Sequence, residues 1–164
     1  MSANGSGASG NGVRAGGEAL VVGGLTVPPE LAGLIRAGTW VPPATEVLRR
    51  IFDDEPVQPC FYSESVLVRE NHDWHTETDP VWLGDPADER NEGIVPERSL
   101  SIADLGPDMP VMLDYRQSLT DPRVLYMNDT IWVEVAANVR EFLTLLYPDK
   151  GPDRVVVSEG DEPR

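Results

Sequence analysis

Two histidines and three carboxylates stand close together in one polar stretch, and their side chains are the ones best suited to hold a metal ion. His72 and His75 are the only histidines of the chain, and Asp73, Glu77 and Asp79 lie beside them. Imidazole and carboxylate groups are common zinc and iron ligands. A catalytic zinc needs three ligands on rigid elements, whereas two histidines in a polar loop fix no geometry. We interpret the stretch as a solvated loop without metal, and keep a small metal-dependent hydrolase as an alternative.

Cys60 and a glycine-rich N-terminus are the other features with potential chemistry. Cys60 is the only cysteine, and with no base or cation beside it we expect a small buried side chain rather than a nucleophile. A single cysteine forms no internal disulfide, which favours a reducing, cytoplasmic location. Gly5, Gly7 and Gly10 match a dinucleotide-binding pattern, but no strand precedes them and no helix follows. We therefore predict no catalytic residue, no metal and no cofactor.

Acidic residues dominate the composition and concentrate in the middle of the chain. The formal net charge is −15, which repels nucleic acid and anionic membranes and attracts basic partners. Residues 52–98 carry 13 acidic side chains against three arginines, whereas residues 25–51 carry two against three. The simplest interpretation of such a segment is a solvated face. For a basic protein, the same face would be a docking surface.

Tryptophans within this acidic segment define the predicted binding site. Trp74 and Trp82 lie in a region too polar to ensure their burial. Aromatic side chains surrounded by acidic residues are typical of hot spots in protein interfaces. The predicted partner-binding residues are Glu70, Asp73, Trp74, Glu77, Asp79 and Trp82.

Helical patterns occur at both ends of the chain. Proline pairs followed by apolar stripes predict helices over residues 27–38 and 42–52, with Trp40 between them as a core anchor. Near the C-terminus, Asn138 and Glu141 have the spacing of a capping box. An apolar stripe that includes Phe142 and Leu143 follows and ends at Pro148. We therefore predict two N-terminal helices and one C-terminal helix.

Alternation and β-branched residues predict strands between these helices. The segment 60–70 is interpreted as a half-buried strand. Shorter strands are predicted at 81–83, 100–103, 111–115, 124–127 and 131–135, the last three as an antiparallel meander separated by turn-forming residues. The predicted fold class is α+β, with a twisted antiparallel sheet of about five or six strands flanked by the three helices.

The predicted organisation is a single domain with two extensions. Residues 1–24 are rich in glycine and are predicted to be a disordered tail, because they cannot bury enough apolar surface to offset their ordering entropy. Residues 25–148 form the domain. Residues 149–164 form a charged extension with one possible edge strand at 154–158.

Five short motifs follow one another in the second half of the chain. They are Gly106 at the end of a strand, Leu113-Asp114-Tyr115-Arg116, Val124-Leu125-Tyr126, Trp132-Val133 and Phe142-Leu143. In this order they resemble the SUKH superfamily, the Smi/Knr-type proteins related to fungal cell-wall assembly regulators. The resemblance is firmest over residues 95–147. Residues 27–31 and 38–40 also look like the start of some bacterial members.

This resemblance implies an α+β fold and, for bacterial members, an immunity protein that binds and neutralises a cognate toxin. The motif residues with an implied structural role are Asp114, Tyr115, Tyr126, Trp132, Phe142 and Leu143. Strand alternation also predicts an ion pair between Asp114 and Arg116, and Trp132 is expected in the core. Our leading hypothesis is a non-catalytic domain that binds another protein, most simply a basic toxin domain. A regulatory scaffold with several weak partners is the alternative.

Overall fold

The computed structural model describes residues 17–85, 87–90 and 92–150. The predicted strand at 154–158 and most of the predicted N-terminal tail lie outside these residues. Residues 17–24 are described and belong to the folded domain, because Leu20 and Val22 are buried. Strand β1 (Val21–Val22) pairs with β2 (Leu25–Thr26) in a small hairpin. The predicted domain start at residue 25 is therefore too late in the sequence.

The described part of the chain also forms a five-stranded antiparallel sheet and five α-helices. The strands are β3 (Cys60–Phe61), β4 (Ser99–Asp104), β5 (Pro110–Asp114), β6 (Arg123–Asn128) and β7 (Ile131–Ala136). The helices are α1 (Pro29–Ala37), α2 (Thr45–Phe52), α3 (Glu64–Trp74), α4 (Pro80–Leu83) and α5 (Val139–Leu146). The strand order is β3-β4-β5-β6-β7, with each pair antiparallel. The predicted α+β fold is confirmed.

Helices α1, α2 and α5 cover one face of the sheet and enclose the main core. The predicted cap of α5 is present, because the Asn138 side-chain oxygen accepts a hydrogen bond from the Glu141 amide at 2.8 Å. Trp40 is buried, stacks against Phe61 with ring centroids 4.4 Å apart, and donates its indole N–H to the carbonyl of Ile102. All three predicted helices are thus confirmed.

A smaller apolar cluster covers the opposite face of the sheet. Met112 and Leu125 point to this face and pack with Ile94, and Trp74 and Trp132 border them. Because β5 and β6 are covered on both faces, they consist of continuous apolar runs. The loop and helices between β3 and β4 supply this second cover.

Two strand predictions in the acidic segment are wrong. Only Cys60–Phe61 of the predicted strand 60–70 is extended, because the Ser63 hydroxyl accepts from the Val66 amide and starts helix α3. The predicted strand 81–83 is helix α4, which begins at Pro80 after a capping aspartate. The predicted loop containing the histidines is helical as far as Trp74. Within the described residues, no helix is both long and apolar enough to cross a membrane.

Candidate functional site

A cavity of about 510 Å³ lies between α3, α4 and the turn that joins β4 to β5. We call it the acidic pocket, because five carboxylates line it and, among the described residues, no arginine or lysine does. The acidic lining residues are Glu70, Asp73, Glu77, Asp104 and Asp108. The apolar ones include Trp74, Trp82, Pro107, Met109, Pro110 and Met112. The pocket therefore combines a concentrated negative charge with an aromatic and aliphatic wall.

Five of the six predicted partner-binding residues line this pocket. Four of them share one face of α3 and the turn after it, because spacings of three, four and seven residues follow the helical repeat. These four are Glu70, Asp73, Trp74 and Glu77. Trp82 comes from α4. The sixth, Asp79, does not line the pocket, because its carboxylate accepts from the Val81 amide at 3.0 Å and caps α4.

Another face of α3 is fixed to the part of the β4 edge that β3 leaves unpaired. The buried Asn71 side chain donates to the Ser101 carbonyl at 2.8 Å and accepts from the Ser101 amide at 2.7 Å. One turn later, the Nε2 atom of His75 lies 2.9 Å from the Ser99 carbonyl, to which it must donate. Strand β3 is too short to cover this part of the edge, so the two side chains satisfy backbone groups that would otherwise be unpaired. The acidic face of α3 is thereby held rigidly.

The tryptophan wall of the pocket is tied together through Trp132. Trp74 donates its indole N–H to the Ser99 hydroxyl at 2.8 Å and meets Trp132 edge-on at 6.3 Å. Trp132 in turn donates to the backbone carbonyl of Trp82 at 2.6 Å. The prediction that Trp132 belongs to the core holds only in part: Trp132 is half-buried, packs against the smaller apolar cluster and links β7 to α4.

A β-bulge places Asp104 in the pocket. The pairing register between β4 and β5 shifts between Ser101 and Ala103, so Ile102 is an extra residue. Strict alternation from the buried Leu100 would send Asp104 toward the core, and the bulge reverses this direction. Asp104 consequently shares the pocket with Ser101. Sequence reasoning missed both residues, and a charged residue at the end of an apolar strand was the available signal.

Asp104 is a fixed, partly dehydrated carboxylate. The Tyr62 hydroxyl, on a side chain only 7% exposed, donates to Asp104 Oδ2 at 3.0 Å. Burial raises the pKa of Asp104, and the Glu70 carboxylate adds to this, while hydrogen bonds from Tyr62 and the Gly106 backbone oppose it. Burial also raises the pKa of Tyr62, so its hydroxyl stays protonated. Among the described residues, no salt bridge includes Asp104.

The predicted ion pair of Asp114 is present at the other end of the same hairpin and is part of a larger network. Asp114 is fully buried and accepts from Arg116 Nε at 2.9 Å and from Arg123 Nε at 2.8 Å. Burial alone would raise its pKa, but the hydrogen bonds from the two guanidinium groups outweigh this and lower it. Arg116 also donates to the Gly93 carbonyl. The network fastens the loop behind α4 to the sheet.

The remaining motif residues have structural positions. Tyr115, Tyr126, Phe142 and Leu143 are buried in the main core. The Tyr115 hydroxyl donates to the Thr26 carbonyl at 2.8 Å, and the Tyr126 hydroxyl donates to Asp54 at 2.7 Å. These bonds attach the N-terminal hairpin and the end of α2 to the sheet.

The candidate catalytic groups do not assemble in the pocket. His72 is exposed, and His75 is occupied by the β4 backbone. In the part of the chain that the structure describes, no three His, Cys, Asp or Glu side chains are grouped so that they could hold a metal ion. Cys60 is exposed, so its predicted burial is wrong. Partial burial of the thiol and the carboxylates of Asp104 and Glu70 raise its pKa, which disfavours the reactive thiolate.

Comparisons of this chain with protein-family models, curated proteins and solved structures found no match. The resemblance to the SUKH superfamily therefore rests on the order of the short motifs alone.

Proposed function

We propose that this chain is a non-catalytic domain that binds a basic protein at the acidic pocket and the adjoining surface of residues 52–98. The observation that carries the proposal is the convergence of five predicted binding residues, from α3, the turn after it and α4, on one cavity. A cavity of this volume lies within the range of natural binding sites, roughly 300–1,000 Å³. Its lining of tryptophans beside carboxylates suits a protein partner that presents cationic side chains.

Charge distribution supports a basic partner. Among the described residues, Asp73, Asp104 and Asp108 have no salt-bridge partner. Their charges therefore add to a field that already reflects a formal net charge of −15. Such a field accelerates the approach of a positively charged protein and makes association sensitive to salt.

The resemblance to the SUKH superfamily suggests which kind of partner this is. For a bacterial member, the partner is a basic toxin domain, and the complex forms in the cytoplasm of the cell that makes the toxin. The alternative is a regulatory scaffold, which would bind several partners weakly and protect against none. Co-expression with a candidate toxin from the same genome distinguishes them, since only an immunity protein restores growth.

Catalysis has less support than binding. The metal-dependent hydrolase required His72 and His75 to act together, but His75 uses its Nε2 to satisfy the Ser99 carbonyl. The raised pKa of Cys60 likewise disfavours a nucleophilic role. Metal analysis of gently purified protein tests the hydrolase directly, and a stoichiometric transition metal would favour it over our proposal.

The binding proposal is tested with a charge reversal and a matched control. Asp73→Lys changes an exposed pocket residue, and Asp121→Lys makes the same change at the opposite end of the sheet. With a purified toxin domain against which the chain protects, we expect Asp73→Lys to weaken the affinity about tenfold at low salt and Asp121→Lys by no more than about twofold. Isothermal titration calorimetry at two salt concentrations measures the affinity of each variant and of the unmodified chain. Equal effects of the two variants, or no complex with the unmodified protein, would contradict the proposal.

A further inference from the structure

The acidic pocket has a polar floor that is already organised. Tyr62 and Ser101 are both at least 90% buried and line it. The Tyr62 hydroxyl holds one oxygen of Asp104, so the carboxylate has a fixed orientation before any ligand arrives. A fixed carboxylate binds a cation without the cost of ordering a flexible side chain.

The wall beside this floor is largely apolar and contains two tryptophans. The indole N–H of Trp74 donates to the Ser99 hydroxyl. A ligand in the cavity therefore does not have to supply an acceptor for this N–H. Trp82 stands on α4, and Met109 and Met112 complete the wall. Carboxylates alone would attract any cation, but aromatic faces beside them select a cation that can stack.

We infer that the acidic pocket receives an arginine side chain of the partner protein, with its guanidinium group against the tryptophan wall and facing Asp104. This inference rests on the proposed function and identifies the chemical group that the site recognises. A planar guanidinium donates hydrogen bonds in several directions, which matches carboxylates supplied by α3, by the end of β4 and by the following turn. A lysine ammonium is more strongly hydrated and does not stack in this way.

Electrostatics within the pocket agree with a cationic occupant. The pKa of Asp104 is raised because the group is partly buried beside another carboxylate. A guanidinium in the pocket favours the ionised form of Asp104 and so lowers its pKa. Binding therefore releases the proton from any protonated Asp104, and affinity falls as the pH is lowered through the pKa of this group.

The experiment uses three short peptides and the four indole N–H signals of the full chain. The probes are acetyl-glycyl-arginyl-glycine amide, its lysine analogue and its citrulline analogue, which has the shape of arginine without the charge. Titration is followed by ¹H–¹⁵N NMR at about 20 mM salt, where screening is weak. We expect the arginine peptide to shift the indole signals of Trp74 and Trp82 and to leave the buried Trp40 unchanged. Its affinity should exceed that of the citrulline peptide by about tenfold and that of the lysine peptide by a few-fold.

Two variants and two controls locate the interaction. Asp104→Asn keeps the shape and the acceptor for Tyr62, and Trp82→Ala keeps the backbone carbonyl that binds Trp132. Each variant should lower the affinity for the arginine peptide about fivefold or more. The controls Asp121→Asn and Leu119→Ala change an exposed acid and an exposed apolar residue at the far end of the sheet. Both should leave the affinity for the arginine peptide unchanged. The NMR spectra themselves report whether each variant is folded.

Failure of this inference is distinguishable from failure of the proposed function. The inference is wrong if the citrulline or lysine peptide binds as well as the arginine peptide, or if Trp74 and Trp82 do not respond. The proposed function still stands in that case if the basic partner protein binds and Asp73→Lys weakens the complex. Conversely, arginine-specific shifts without any protein complex would support the pocket's chemistry and contradict the proposed function.

Discussion

Two aspartates lie at opposite ends of the β4–β5 hairpin, and the protein surrounds their charges in opposite ways. Asp104 ends β4 and is paired in register with Pro110, whereas Asp114 ends β5 and is paired with Ser99. Asp114 is fully buried and accepts hydrogen bonds from two arginines. Asp104 is partly exposed and has a tyrosine hydroxyl, but no cation among the described residues, as its side-chain partner.

This difference separates a structural carboxylate from a candidate binding carboxylate. The pKa of Asp114 is lowered, because guanidinium hydrogen bonds outweigh the effect of burial. The pKa of Asp104 is raised, because burial acts there without a compensating cation. Removing one partner of a buried, internally paired charge destabilises the fold, whereas a charge left without a counterion is available to an external one.

Removing the buried charge should have the largest effect on stability. Asp114→Ala leaves Arg116 and Arg123 without their shared partner in a mostly buried position. Breaking such a network costs roughly 3 kcal/mol or more of unfolding free energy. Urea denaturation measures this loss, with Asp121→Ala as the control for an exposed aspartate near the same end of the sheet. If the two variants lose equal stability, the network does not have the structural role assigned to it.

The stability supplied by Asp114 should also depend on pH. Its folded pKa is below the ordinary value of 3.8, so the contribution is complete above that value and is lost as the pH falls through the folded pKa. The stability difference between the unmodified chain and Asp114→Ala should therefore be constant near neutrality and shrink below about pH 4. Denaturation at pH 7, 5 and 3 gives the three differences. A difference that persists unchanged at pH 3 would contradict the assigned shift.

Asp104→Asn should have a small stability effect of the opposite sign. The folded pKa of Asp104 is raised, so its contribution is most favourable at low pH and is lost as the pH rises through that pKa. At pH 7 we expect Asp104→Asn to stabilise the chain slightly, by no more than about 0.5 kcal/mol, since the site is partly exposed. The gain should vanish below the ordinary pKa of the group. A clear loss of stability at pH 7 would place Asp104 with Asp114 as a structural carboxylate.

Elements with complete local signals were predictable from the sequence. Helix α5 has its cap at Asn138 and its apolar stripe in one short segment, so local rules suffice. The strands from β4 to β7 are separated by turns that the sequence marks clearly. In the acidic segment, Val66 and Val68 suggested a strand, but the cap at Ser63 started a helix and tertiary contacts with β4 held it.

The candidate site was predictable only in part, for a related reason. Composition identified the pocket residues of α3, although the sequence pattern predicted a strand and a loop where the structure has this helix. Their common face depends on the helix. The bulge at Ile102 turns Asp104 to the side of the sheet that Ser101 already faces, so that both line the pocket. A bulge is set by how a strand pairs with its neighbour, so the sequence of β4 alone does not indicate it.

The reactivity of the Cys60 thiol reports directly on the uncompensated charge of Asp104, because the two residues are paired in register between β3 and β4. The expected effect is the smallest of those predicted. Partial burial is the main cause of the raised pKa of the Cys60 thiol, and the Asp104 carboxylate adds more to it than the Glu70 carboxylate does. Neutralising Asp104 therefore increases the thiolate fraction, and alkylation by iodoacetamide at pH 8 should accelerate a few-fold in Asp104→Asn. Glu70→Gln should give a smaller increase and Asp121→Asn none. The order of these three rates tests the electrostatic comparison without any partner, since a field from the whole chain would affect all three variants equally.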